Sequence, residues 1–278
     1  MLLQRWRERL AGSVAERFQE LTSSCPDPMP QDLRSAILDA LEQQDCDRGL
    51  LSCAAAAHCG ADPEVGLLPG VSVIMLEAAL ASHLPVVGLG GGNSLLLDYG
   101  EATALLVGDA LIPLALENLC GTGSRGDRHA PVLVADAIRA LGARGALDRM
   151  SLEVEEKDPD VLERLRLSGG EMPVTLRECF GRFSAAAGAR MAPAHDQTGL
   201  DEMSMFGFEV GRASGLAGLS ERMCRLFGLS HEDLEGEAVA LVSKAASRIS
   251  DSPCDSLARL LVESALEPGS QSDLLENA

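Results

Sequence analysis

The chain has 278 residues, is 46% hydrophobic and carries a formal net charge of −19. That length supports one large core, while aromatics at 3% and sparse β-branched residues disfavour an extensive sheet and point to an all-α protein. Phosphate backbones would be repelled by so acidic a surface, which excludes nucleic acid as a partner class.

Taken in order, residues 1–21 form an amphipathic helix whose charges are spread along it, unlike a secretory leader. SSCPDPMP (23–30) is a Pro-rich connection, and 31–44 a second helix. LLSCAAAAHCG (50–60) is a short apolar helix that Gly60 stops. A buried helix follows over 71–83, then the loop GLGGGNS (88–94). YGEATALLVGDALIPLALENL (99–119) reads as one uninterrupted helix, apolar nearly all round, with Glu101, Asp109 and Glu117 as its only charges. Gly100 and Gly108 leave room on it for close approach. Helices are expected over 130–148, 158–167, 174–190, 201–227, 232–249 and 252–266, and a mobile tail over 267–278. The sum is ten or eleven helices in a single domain, 1–278, with no repeat.

Eight cysteines without a CxxC pair suit buried thiols in a reducing, cytoplasmic setting. Pro69, Pro85 and the glycines at 88 and 90–92 break the apolar region 65–97, so no membrane span is expected there. GLGGGNS lacks the spacing and the lysine of a phosphate loop. Cys53, His58 and Cys59 cannot share one face of a helix, which argues against zinc. His83 at the end of an apolar helix is expected to be a capping or hydrogen-bonded residue, and Asp109 a buried hydrogen-bonded one. No combination of serine, cysteine and histidine suggests a nucleophilic triad.

YGEATALLVGDAL resembles a signature of the trans-isoprenyl diphosphate synthases, the polyprenyl synthetase family, through Tyr99, Gly100, Glu101, Ala102, Ala104, Leu106, Gly108, Asp109 and Leu111. The similarity extends to 62–85, 175–189 and 206–218. It implies the isoprenoid synthase fold, with helices around a central cavity. It also implies a reaction in which an allylic diphosphate ionises and couples to isopentenyl diphosphate. In that family two Asp-rich clusters hold Mg²⁺, because a departing diphosphate needs hard cations with oxygen ligands.

The resemblance fails where the chemistry should be. Placing the first motif's Leu-Pro on Leu84 and Pro85 puts Ser82, His83 and Gly88 at the aspartate positions. The second motif falls on Gly218, Leu219 and Arg222, and an arginine there would repel Mg²⁺. Val174-Thr175 stands for the family's Lys-Thr, and Arg149-Met150 for its Gly-Gln. Of the diphosphate clamp Arg48 alone is matched, with Asp45 near the lysine position. Glu77, Asp98, Glu209 and Glu221 are the nearby carboxylates, and they do not form a cluster on one helical face.

No catalytic residue, no metal site and no cofactor are therefore expected. The expected role is that of a diverged homologue without Mg²⁺-dependent transfer. It would act as a homodimer, as a heteromer with an active prenyl synthase, or as a binder of an apolar isoprenoid-like ligand. The alternative is an active prenyltransferase or terpene-type enzyme, with Arg48, Arg149, Arg212 and Arg222 converging to hold a diphosphate without metal.

Overall fold

The computed structural model describes residues 2–23, 27–83, 94–120, 129–142, 176–193, 196–217, 230–250 and 255–266. Among them are eleven α-helices, one 3₁₀ turn and no strand. We number them α1 (Leu2–Ser23), α2 (Gln31–Glu42), α3 (Asp47–His58), α4 (Leu67–His83), α5 (Ser94–Tyr99), α6 (Glu101–Cys120), α7 (Ala130–Leu141), α8 (Leu176–Met191), α9 (Gln197–Ala217), α10 (His231–Arg248) and α11 (Asp255–Ser264). The all-α expectation holds. The helix expected over 158–167 and the tail 267–278 lie outside the described residues.

Each helix follows from its apolar spacing. In α1 the residues Leu10, Val14, Phe18 and Leu21 recur every three or four positions and are all buried. Each such side chain contributes about 1.5–3 kcal/mol of transfer free energy. Helix α3 stops as predicted. Gly60, at φ 79°, takes the left-handed conformation, and Ala61 and Gly60 donate backbone bonds to Ala56 and Ala57. The next helix starts earlier than the expected residue 71. Asp62 caps a 3₁₀ turn over Pro63–Gly66 by accepting from the Glu64 N–H, and α4 continues from it at Leu67. Pro69 is tolerated because N–H groups of the first turn have no helical acceptor to bond.

The centre of the bundle is α3, α4, α8 and α9, and small residues let these helices nearly touch. A Cβ at Gly188 would collide with the backbone of Ser52, and one at Gly66 with that of Cys53. Gly181 and Gly207 face one another's carbonyls across α8 and α9, and Gly49 and Gly70 do the same across α3 and α4. Backbones this close leave no room for water. One polar group trapped between them is doubly paired: the Ser52 hydroxyl lies 2.6 Å from both the Gly49 and Gly66 carbonyls. Further out, Asn118 donates to the Leu68 carbonyl at 2.9 Å and the Ser72 hydroxyl at 2.7 Å, while Arg17 donates to its Oδ1 at 2.7 Å. One amide thus joins α1, α4 and α6.

The segment 99–119 differs from its expectation in two ways. It is not one helix: Gly100, at φ 81°, separates α5 from α6. Nor is it buried all round. Ala104, Val107, Gly108, Leu111, Ala115 and Leu119 face the core, but Leu106 is 54% exposed and Leu105 38%. Composition cannot separate a helix sunk in a core from one that presents its second apolar side outward. Both α6 and the stretch Pro63–His83 are long and apolar enough to cross a membrane. The apolar surface of α4 is spent inside the bundle, where Leu67 to Leu80 is buried with the exception of Leu68.

Close helix approach predicts a contrast between two glycines. Gly188→Ala should destabilise by about 1–3 kcal/mol or more in urea titrations, because the backbone of Ser52 cannot yield. Gly12→Ala, on an exposed face of α1 with nothing near the new methyl group, should stabilise by up to ~1 kcal/mol.

Candidate functional site

The link between α2 and α3 is polar: Gln43, Gln44, Asp45, Cys46 and Asp47 precede Arg48. It lines a cleft of about 540 Å³ at one end of the central helices. Arg7 of α1, Arg177 of α8, Val210 and Ser214 of α9, and Leu261 and Ser264 of α11 complete the walls.

Arg48 projects from the first turn of α3 and is buried, with 8% of its side chain exposed. It meets Glu77, on α4, which is 7% exposed; the guanidinium Nε donates to the Glu77 carboxylate. Asp45 stands 3.6 Å from Arg48 Nη1, beyond hydrogen-bond reach, and that nitrogen has no acceptor among the described residues. Burial works against the charge of Arg48, but Glu77 and Asp45 outweigh it and raise the pKa. Burial also raises that of Glu77, and Arg48 offsets this only in part. Two ions removed from water cost several kcal/mol each, so the pair persists by mutual compensation. Nearby, Arg7 grips Asp47 through two bonds of 2.6 Å, and the Ser264 hydroxyl donates to the same carboxylate at 2.8 Å.

Arg177 is the third cation of the cleft. Its Nη1 donates to the Ser214 carbonyl at 2.6 Å and to the Ser214 hydroxyl at 3.2 Å. Burial, and then the charge of Arg48, push its pKa down to about 10. It makes no ion pair among the described residues.

Of the residues singled out from sequence, Gly88, Gly218, Leu219 and Arg222 lie outside the described residues, as do Arg149, Met150, Val174 and Thr175. Ser82 is buried and donates its hydroxyl to the Ala78 carbonyl at 2.7 Å, one turn back in α4. His83 Nε2 lies 3.2 Å from the Leu105 carbonyl and 3.6 Å from the Asp109 carboxylate. Gly108 provides the space for the ring. His83 is thus the hydrogen-bonded residue expected, tying α4 to α6. Asp109 is not buried as expected, since 71% of its side chain is exposed. The outer face of α6 is solvated, which removes any need for an internal partner.

Of the four carboxylates that could have replaced the missing aspartates, two are engaged elsewhere; Asp98 is exposed, and Glu221 lies outside the described residues. Glu77 serves Arg48. Glu209 is buried and accepts two bonds, at 2.8 and 2.9 Å, from Arg248 of α10. Arg212 does not converge with Arg48; it pairs with Glu237 at 2.8 Å and Glu178 at 3.3 Å between α8, α9 and α10. Burial of Cys53 pushes its thiol up to about 12, and burial of His58 lowers its pKa, as befits core residues rather than ligands. Among the described residues no group of three or more His, Cys, Asp or Glu could hold a metal ion. Mg²⁺ prefers several carboxylate and water oxygens. A bonded serine, an imidazole on a carbonyl and two carboxylates neutralised by arginine do not fit it.

A second, more apolar cleft of about 680 Å³ lies between α7, α8 and α9. Arg182 there stacks over the Phe208 ring, 4.8 Å from its centroid.

Residues important in the cleft escaped the sequence reading. Glu77 had been weighed as a metal ligand, not as the partner of Arg48. The available signal was symmetry: after Asp47, Arg48 is the one strong charge of α3, and Glu77 the one carboxylate of α4. Arg177 offered none.

Known structures agree with this architecture. The chain has the isoprenoid synthase fold. A geranyltransferase from Legionella pneumophila superposes with a TM-score of 0.74 at 18% identity, covering 98% of this chain and 99% of that one. An FPP/GFPP synthase from Zymomonas mobilis gives 0.71 at 21%, covering 95% and 97%. The geranyl diphosphate synthase small subunit from Antirrhinum majus gives 0.70 at 16%, covering 95% and 99%. At these identities the likeness is one of fold. No protein-family model and no curated protein sequence matches the chain.

The buried pair predicts a double-mutant result. Arg48→Met or Glu77→Leu alone should cost ~3–5 kcal/mol in urea unfolding, because each strands a buried charge. The two together should recover most of that loss.

Proposed function

We propose that this chain is a non-catalytic relative of the prenyl diphosphate synthases that works as a subunit, in a homodimer or beside an active synthase. The observation that carries this reading is the state of Arg48. The one clamp residue matched from sequence is held by Glu77 and flanked by Asp45, so its charge is already spent on protein carboxylates. An arriving diphosphate would have to displace Glu77 and would meet Glu42, Asp45 and Asp47 on the same walls. At the first metal position, Ser82 and His83 are likewise engaged with their own backbone surroundings.

Support for the subunit role comes from the outer surface. Leu97 is 75% exposed, and with Leu105 and Leu106 it gives α5 and α6 apolar side chains that no other described element covers. Exposed apolar clusters of this kind mark interaction sites. The Antirrhinum majus protein is a small subunit, and another similar structure, at TM-score 0.69 and 17% identity, is of a heterotetrameric geranyl pyrophosphate synthase from mint. Thiols outside any disulfide at Cys46, Cys53, Cys59 and Cys120 go with a reducing, cytoplasmic setting.

Incubation with Mg²⁺, isopentenyl diphosphate and geranyl diphosphate should give no elongated product, and elongation at ordinary enzyme rates overturns the reading. In sedimentation velocity the protein should run as a dimer. Leu105→Asp with Leu106→Asp should shift it to monomer without loss of helical circular dichroism.

A further inference from the structure

We propose that the outer face of α5 and α6 is built to receive a different chain, one that presents apolar side chains among lysines and arginines, in preference to a second copy of this one. The inference rests on the reading that the chain works as a subunit, and it chooses between the two assemblies named there.

The observation is one of sign. Residues 94–120, which make up both helices, hold Asp98, Glu101, Asp109 and Glu117 and not one lysine, arginine or histidine. All four carboxylates are exposed. At roughly 100° per residue, Leu105 falls between Glu101 and Asp109 around α6, and Leu106 between Asp109 and Glu117. Charge and apolar surface thus share one face instead of taking opposite ones. Among the described residues Asp98, Glu101 and Glu117 join no ion pair, and Asp109 meets His83 of α4 at 3.6 Å. The cleft is different, for there Arg7 holds Asp47 and Arg48 holds Glu77. On α5 and α6 the protein supplies no arginine or lysine of its own, so the matching charge has to come from outside.

A second copy is a poor match for such a face. Like chains pair about a two-fold axis, each offering the same patch to the other. The carboxylates of one α5–α6 face would then meet those of its twin, with no basic side chain from either face between them. Removing the leucines from water favours that contact, and repulsion opposes it. A foreign surface with apolar side chains and a few lysines or arginines keeps the first effect and turns the second into attraction. An anionic lipid surface fails on the same ground as a second copy. The self-dimer is the weaker of two pairings, formed when the better partner is absent.

A charge-reversed copy of this chain supplies the complementary surface for a test. The triple variant Glu101→Lys, Asp109→Lys, Glu117→Lys, mixed in equal amounts with the unaltered protein and read by native mass spectrometry, should form mixed dimers well above the statistical half. Their Kd should lie at least about tenfold below that of the unaltered homodimer. Raising NaCl from about 50 to about 500 mM should tighten the unaltered homodimer and loosen the mixed dimer, because screening removes repulsion from one and attraction from the other. The salt series on the unaltered protein needs no variant and stands even where the triple variant folds badly. Asp201→Lys, Glu202→Lys and Glu232→Lys, at exposed positions of α9 and α10, make the same change of charge elsewhere and should mix statistically. Statistical mixing by the α6 variant, or an unaltered homodimer that salt loosens, overturns the proposal and leaves the subunit reading standing. Absence of any dimer, alone or mixed, overturns both.

Discussion

At the point where α3 crosses α4, an arginine and a glutamate meet out of water. Neither helix could bury its charge alone, because an isolated ion in that setting would neutralise or pull the helix outward. Together they let both helices sink to the middle of the molecule, and their mutual attraction fixes how far one can slide along the other. The exchange has a functional consequence. A guanidinium at the mouth of a cleft invites an anionic ligand, and one anion is supplied permanently by the protein. Under the proposed reading, what the pair gains in internal compensation it removes from diphosphate affinity.

The contacts around that pair are of another kind. Glycine meets backbone at Gly49, Gly66, Gly70, Gly181, Gly188, Gly207 and Gly211. The alanines 54–57 of α3 are all buried. Packing of this sort draws on dispersion and on the exclusion of water between surfaces a few ångströms apart. It asks nothing of metal ions or diphosphate. The architecture therefore does not depend on the residues that would carry the reaction, and positions 82 and 83 are open to structural use. Ser82 turns inward to its own helix, and His83 becomes a bridge from α4 to α6.

This separation explains what could be read from the sequence and what could not. Helices whose identity rests on local pattern were legible. The stripe of α1 and the Gly60 stop of α3 are dictated within a few residues, as are α10 and α11 to within about three residues at each end. The fold was legible because YGEATALLVGDAL and its neighbours are dense in small and apolar residues that such packing needs. The break at Gly100 was missed because a glycine costs a helix only ~1 kcal/mol, so local pattern alone does not say that it has turned left-handed. The exposure of Leu105, Leu106 and Asp109 was missed for a different reason. Which side of an all-apolar helix faces out is decided by what packs on it, and that information lies in α2, α4 and α7.

The cleft was the least legible part, and its charges show why. Arg48 is 29 residues from Glu77, and Arg177 is 37 from Ser214. Read singly, Arg48 is a diphosphate ligand and Glu77 a candidate metal ligand, each a sound inference from residue type. Brought together they compensate one another, because the electrostatic meaning of a side chain is set by the nearest opposite charge as well as by its own chemistry. Arg177 shows the converse. It has no motif to mark it, yet it lines the cleft and, among the described residues, bonds only to Ser214 and joins no ion pair. A fold can thus keep the shape of its cleft while the charges that line it are compensated from within.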